Sequence, residues 1–161
     1  MRWIVPAALA LLLIAGCGAP PSEITDGMPA PTGVAPGATL FFVDAQQRLQ
    51  PQQRATGRLG TVTDALSLLL TGPGPDAALH TEIRASGETR VVADTTADLI
   101  TVRLPLTRRD VTSLGIDQIV CTALGVHVQG GGSPSATVQL SFTLPGDDAN
   151  PPRSCPLIPT G

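Results

Sequence analysis

A chain of 161 residues has room for one compact domain with a modest hydrophobic core. Its formal charge is −3, every basic side chain is an arginine, and its aromatic residues are Trp3 and three phenylalanines. Nucleic-acid binding depends on clustered positive charge and on aromatic stacking surfaces. Because this composition offers neither, we expect no nucleic-acid partner.

The N-terminal segment predicts an export signal. Arg2 precedes the uncharged residues 3–15, a length typical of a signal-peptide core and too short to span a bilayer comfortably as a helix. The segment ends in Ile14-Ala15-Gly16-Cys17, which resembles the bacterial lipobox. We therefore expect residues 1–16 to be removed and Cys17 to carry acyl chains that anchor the protein to the extracytoplasmic face of the cell membrane. The alternatives are an ordinary secretory cleavage near a cysteine and an uncleaved apolar N-terminus.

Residues 17–37 predict a tether between the lipid and a folded domain. Five prolines and four glycines fall within residues 18–37, and apolar periodicity is almost absent there. Such a composition favours an extended, solvated chain. A flexible chain of about 20 residues has a root-mean-square reach of roughly 25 Å. We expect residues 38–145 to fold at this distance from the membrane and residues 146–161 to form a Pro-rich, solvated tail.

The first half of the predicted domain contains two strands and a helix. Residues 40–43 form a short apolar run, and residues 48–54 form a polar segment that contains Pro51. This pattern predicts an inner strand and an edge strand joined as a hairpin. Thr61 and Asp64 match a capping box, and Gly72 ends the helical pattern that follows. The apolar residues at helical spacing are Val62, Ala65, Leu66 and Leu69.

The second half contains two strands, a helix and two final strands. The first two strands are predicted over residues 89–93 and 99–104, and the last two over residues 126–129 and 136–144. A helix over about residues 110–124 is indicated by apolar residues at i, i+3, i+4, i+7 and i+8, which are Ile116, Ile119, Val120, Ala123 and Leu124. The predicted order is ββαββαββ, an α+β domain whose antiparallel or mixed sheet packs against two helices.

Three motifs resemble the GerMN domain, a sporulation and spore germination module also found in actinobacterial lipoproteins. Residues 40–54, Leu-Phe-Phe-Val-Asp-Ala-Gln-Gln-Arg-Leu-Gln-Pro-Gln-Gln-Arg, are similar to the opening of that domain. Residues 65–73 resemble its ALxxLLxGP helix end. Gln118-Ile119-Val120-Cys121-Thr122 resembles its QLVxT second helix, with Cys121 where an aromatic residue is common. The resemblance implies a single small envelope module that serves assembly or protein contacts and has no catalytic residues.

Cys121 and Cys155 remain once Cys17 is lipidated. Outside the cytoplasm, two thiols in one small domain usually form a disulfide. In the predicted helix, Cys121 lies beside the apolar stripe, within reach of a returning tail. The bridge would close a loop of about 34 residues and stabilise the domain by roughly 3 to 4 kcal/mol in the chain-entropy treatment. The alternative is a buried free thiol and a tail cysteine that pairs with nothing or with another chain.

We predict no catalytic, cofactor or metal site. A zinc site needs three or four ligands, whereas His80 and Glu82 form an isolated pair and His127 is the other histidine. We expect both histidines to be solvated, His127 because it alternates with Val126 and Val128 in a predicted strand. The sequence contains neither a Gly-x-Ser-x-Gly motif nor a phosphate-binding loop between a strand and a helix. It therefore predicts that the protein is not an enzyme.

The polar edge strand is the predicted contact surface. Because few aromatic residues are present, little apolar material is left to line a deep pocket. We expect an envelope protein partner to bind at polar surface or at an exposed sheet edge, with Arg48 and Arg54 as candidate contacts. Alternatively, both arginines are solvated charges on a protected edge. The functional alternative is a small ligand-binding envelope lipoprotein that carries an apolar or anionic molecule.

Overall fold

The computed structural model describes residues 37–75, 78–84, 87–143 and 150–160. Their elements, in chain order, are β1 (Ala38–Asp44), β2 (Leu49–Arg54), α1 (Val62–Leu69), β3 (Leu79–His80), β4 (Val92–Thr95), β5 (Leu99–Arg103), α2 (Ser113–Gln129) and β6 (Thr137–Ser141). The predicted α+β class is confirmed. Among these residues, no helix has the length and apolar character needed to cross a membrane.

The strands form two sheets of three strands each. In the first sheet β1 lies between β2 and β3, and both pairings are antiparallel. In the second sheet β5 lies between β4, which is antiparallel to it, and β6, which is parallel to it. The two helices pack against each other and against β1, while α1 also contacts β4 and α2 also contacts β6. One continuous hydrophobic core therefore joins both sheets and both helices.

Both helices begin where the chain supplies a side-chain cap. Thr61 and Asp64 form the predicted capping box at the start of α1, and each side chain bonds the other residue's backbone N–H. At the start of α2, the Thr112 hydroxyl accepts the N–H of Gly115. The apolar stripes predicted for the two helices are buried, as expected. The prediction that α2 begins near residue 110 is wrong by three residues, because residues 108–110 form a single 3-10 turn before the cap.

The strand predicted over residues 126–129 is wrong, because α2 continues through Gln129. Val126, His127, Val128 and Gln129 alternate in polarity like a strand, but Val126 also follows Ile119 by two helical turns. The helical pattern dominates, since Val126 is buried in the core. The helix ends at Gly130, whose N–H bonds to the carbonyl of Val126.

The shorter strands and their ends depend on tertiary contacts. The strand β4 occupies residues 92–95 rather than 89–93, and its position is defined by pairing with β5. The two-residue strand β3 was not predicted; two residues are too few for a periodic signal, and it exists through its pairing with β1. The predicted strands at residues 48–54, 99–104 and 136–144 correspond to β2, β5 and β6.

The C-terminal residues 150–160 pack against the domain. The N–H and carbonyl of Arg153 bond to Val138 in β6, at 2.8 Å in both directions. Cys155 is 3% exposed and Ile158 packs on the core. This part of the predicted solvated tail therefore belongs to the folded unit, while residues 144–149 lie outside the described residues.

Candidate interaction surface

Strand β2 is an edge strand, as its proline predicted, and among the described strands it pairs with β1 alone. Pro51 lies opposite Phe41 in the ladder. The N–H of Phe41 donates to the Thr122 hydroxyl, and its carbonyl accepts from the Gln118 amide, so both groups point away from β2. In an antiparallel ladder, when the backbone groups of one residue point away from the partner strand, those of the residue opposite do so too. The backbone of Pro51 therefore faces the outer, unpaired side of β2. The middle of this edge therefore lacks a backbone donor, which limits strand addition.

Arg48 belongs to a polar cluster organised by Asp44 at the hairpin turn. One carboxylate oxygen of Asp44 accepts the N–H groups of Gln46 and Arg48, and the other accepts the Arg48 and Gln50 side chains. Burial raises the pKa of Asp44, but these hydrogen bonds outweigh it and lower the pKa to about 2. The Arg48 side chain is 67% exposed, so its outer face remains accessible while its charge is paired.

Arg54, the second candidate contact, is held inside the protein. Its Nη2 donates to the carbonyl of Gly72 at 2.6 Å, and its guanidinium lies over the Phe42 ring, 5.8 Å from the centroid. The residue is half-buried, and its buried Nε has no hydrogen-bond partner among the described residues. Arg54 therefore joins the end of β2 to the segment that follows α1, and the exposed arginine of this hairpin is Arg48, on the turn before β2.

The inner side of β1 is closed by polar side chains of α2, a feature that the sequence analysis missed. Gln118 bonds the carbonyl of Phe41 and the N–H of Glu82, Thr122 bonds the N–H of Phe41, and Gln129 bonds the N–H of Thr39. Gln118 and Thr122 are 0% exposed. These side chains replace a neighbouring strand where β3 is too short to pair. The available signal was the spacing of Gln118, Thr122 and Gln129 at i, i+4 and i+11, which places these polar side chains on one face of the helix.

Cys121 and Cys155 form a disulfide, as the sequence predicted. Their Cα atoms are 4.7 Å apart, and both residues are buried. The bond joins α2 to the C-terminal segment across 34 positions of sequence. The alternative of a buried free thiol beside an unpaired tail cysteine is thereby rejected. Cys17, the predicted signal peptide and the predicted tether lie outside the described residues.

His80 and His127 lie in different surroundings. His80 is partly exposed; its Nε2 lies 3.2 Å from a Glu82 carboxylate oxygen and 3.3 Å from the Gln47 amide nitrogen. His127 lies in α2 and not in the predicted strand, and it is half-buried rather than solvated, because its Nε2 is enclosed beside Gly132. No group of three potential metal ligands occurs in the part of the chain that the structure describes.

Two open clefts lie on the surface of the described residues. One, of about 280 Å³, lies between the start of β1 and α1, with Leu59 and Leu68 on its walls and Arg58 and Asp64 at its polar side. The other, of about 310 Å³, lies between residues 81–84 and 109–112.

Comparisons with known proteins find no matching family model, curated protein or solved structure.

Proposed function

We propose that this chain is a lipid-tethered, GerMN-like module of the bacterial envelope that binds another envelope protein and catalyses no reaction. In this proposal Cys17 carries the lipid, residues 18–37 form the tether, and the domain acts on the extracytoplasmic side of the membrane. Arg48, on the exposed turn of the first hairpin, is the proposed contact residue.

The observation that carries the proposal is the use of the three cysteines. Cys17 completes a lipobox, and Cys121 and Cys155 form a buried disulfide. Disulfides persist in oxidising compartments and are rare in the cytosol, where thiols are kept reduced. A lipidation motif and a structural disulfide in one chain thus both point to the same side of the membrane.

Contacts between the three GerMN-like motifs support the family assignment. Phe41, in the first motif, bonds Gln118 and Thr122, which begin and end the third. Arg54, at the end of the first motif, bonds the carbonyl of Gly72 in the second. In each of these contacts a polar side chain of one motif bonds a backbone group of another motif. This supports a module defined by its fold rather than by reacting groups.

Ligand carriage is the second candidate function, and the cleft of about 280 Å³ is the observation that favours it. Its walls combine Leu59 and Leu68 with the charged side chains of Arg58 and Asp64. A small molecule with an apolar body and a charged group would match this lining.

The anchor is tested by metabolic labelling with a clickable fatty acid in intact cells. We expect the parent protein to be labelled and the Cys17→Ala variant to remain unlabelled. A Cys121→Ala variant serves as the matched control, since it also removes one thiol but leaves the lipobox intact. Equal labelling of the parent and the Cys17→Ala variant would contradict the proposal.

The partner is tested by photo-crosslinking from a defined surface position in intact cells. A photoreactive residue at Gln53, which is exposed on β2, should capture a reproducible protein partner. The same residue at Thr95, exposed on β4 of the other sheet, is the control. Arg48→Glu should reduce the adduct formed from position 53 without unfolding the domain. Ligand carriage would be favoured instead if no protein adduct formed and a small molecule copurified with the parent protein but not with the Leu68→Arg variant.

A further inference from the structure

The outer edge of β6 is covered by the C-terminal residues 150–160, which we call the strap. The carbonyl of Ser141 and the N–H of Thr137 bond to the β5 side of the sheet. In a parallel strand, the N–H and the carbonyl of one residue point to the same neighbour, and the next residue directs both groups to the other side. The backbone groups of Val138 and Leu140 therefore point away from β5. There the strap bonds both backbone groups of Val138 and, through an Asn150 amide, the carbonyl of Leu140. The strap thus satisfies an edge that would otherwise be open.

The strap also ends the sheet, because it is a poor template for another strand. Pro151 and Pro152 immediately precede Arg153 and have no backbone N–H to donate. An open strand edge recruits other chains, and proline on an edge strand prevents this. Two of the other sheet edges carry comparable protection: Pro51 faces outward on β2, and the Thr63 hydroxyl accepts the outward N–H of Ala93 on β4.

A disulfide joins the strap to the folded domain. Cys155 is joined to Cys121 on α2, while residues 151–154 and 156–157 of the strap are exposed. The noncovalent attachment includes the hydrogen bonds to β6, the packing of Ile158 on the core and the attraction between Arg153 and Asp117 of α2. The edge beneath the strap is therefore protected by a bond that a dithiol can break.

We propose that the strap is a redox lock over a strand-addition edge, and that once Cys121–Cys155 is reduced this edge accepts the strap of a second copy of this chain. In the reduction, a dithiol transfers two electrons and two protons to the S–S bond, leaves two cysteine thiols and becomes a disulfide itself. The second copy's strap is the fitting occupant because it presents the same backbone groups and the same cysteine that already match β6 and α2. Exchange of identical elements between copies is a low-cost route to association. This inference does not depend on the proposed partner or on lipidation.

The test mixes isotopically light and ¹⁵N-labelled full-length protein that carries Cys17→Ala, so that no third thiol interferes. The mixture is reduced with dithiothreitol, held at a series of protein concentrations, reoxidised and analysed by mass spectrometry. We expect peptides in which Cys121 of a light copy is linked to Cys155 of a heavy copy, in a proportion that rises with concentration. A mixture that is never reduced should contain none.

Two further measurements distinguish disulfides formed after one copy's strap has bound β6 of another from disulfides formed by random oxidation of thiols. Arg153→Pro removes the strap's N–H donor to Val138, whereas Arg153→Ala keeps it. The ratio of mixed Cys121–Cys155 links to Cys155–Cys155 links should therefore fall in Arg153→Pro and be retained in Arg153→Ala. In reduced protein, hydrogen exchange at the Val138 amide should be faster at low concentration and slower at high concentration. Absence of mixed links with unchanged Val138 exchange would overturn the proposal, as would equal ratios in the two Arg153 variants.

Discussion

The hydrogen bond between α2 and β1 can be tested by Thr122→Val, which replaces the hydroxyl by a methyl of similar size. Thr122 is 0% exposed, and its hydroxyl accepts the N–H of Phe41 at 3.0 Å. In the variant this N–H keeps its buried position but has no acceptor. An orphaned buried donor costs about 1–3 kcal/mol, and the more apolar valine offsets part of that cost. We therefore expect the free energy of unfolding to fall by about 1–2 kcal/mol.

The assay is urea denaturation of the oxidised protein, monitored by far-ultraviolet circular dichroism. Circular dichroism is chosen over tryptophan fluorescence because the one tryptophan, Trp3, lies outside the described residues. Thr95→Val is the matched control: Thr95 is exposed on β4, and its variant should change stability by less than about 0.5 kcal/mol. Thr122→Ser keeps the hydroxyl and loses a methyl, and so separates the hydrogen bond from packing. The Phe41 amide should exchange faster in Thr122→Val than in Thr122→Ser.

The result that would refute this reasoning is a Thr122→Val variant as stable as the Thr95→Val variant, with unchanged exchange at Phe41. The inner side of β1 would then not depend on the polar row of α2. The packing of α2 on the sheet would have to come from its apolar stripe alone.

Three other perturbations test separate features. Asp44→Asn should lower the melting temperature at pH 7. The difference from the parent should shrink as the pH falls from about 4 towards 2, because the hydrogen bonds that lower the pKa of Asp44 stabilise the fold only while the carboxylate is ionised. A difference that does not change with pH would contradict this. Replacing Cys121 and Cys155 together by alanine should cost about 3 to 4 kcal/mol for a 34-residue separation, and adding a reductant to that variant should change nothing further. Gly115→Ala should lower the free energy of unfolding by about 1–3 kcal/mol, because its Cβ would lie 2.4 Å from the Glu82 carbonyl oxygen. The control, Gly125→Ala on the same helix, places its Cβ 3.3 Å from a side-chain atom of Phe41 and should be milder. Equal urea midpoints for the two variants would count against the close approach at Gly115.

The prediction of an edge strand at β2 was confirmed because its signal is local, whereas the surroundings of the two arginines depend on distant contacts. Pro51 identified an edge strand because proline cannot donate to a ladder, and the edge is present. No local pattern indicates that Arg54 bonds the carbonyl of Gly72, since that contact requires α1 to end beside β2. For the same reason Arg48 and Arg54 looked equivalent in the sequence, but one is exposed and the other is half-buried.

At His127 a local pattern predicted the wrong element. Alternation with Val126 and Val128 indicated a strand and a solvated imidazole. The helix continues instead, because it gains further core contact through Val126 before the glycines end it. Two short patterns of different period fit the same four residues, and packing against β1 and β6 decided between them.

By itself the sequence determined the α+β class, the two apolar helix stripes, the capping box at Thr61 and the pairing of Cys121 with Cys155, because periodicity, capping chemistry and cysteine number are local or compositional properties. The tertiary structure alone decided the division of the strands between two sheets, the polar row of α2 that closes β1, and the strap over β6. Each of these satisfies backbone groups with partners far away in sequence. Which partner reaches which group depends on where packing brings the elements together, and no local pattern encodes that position.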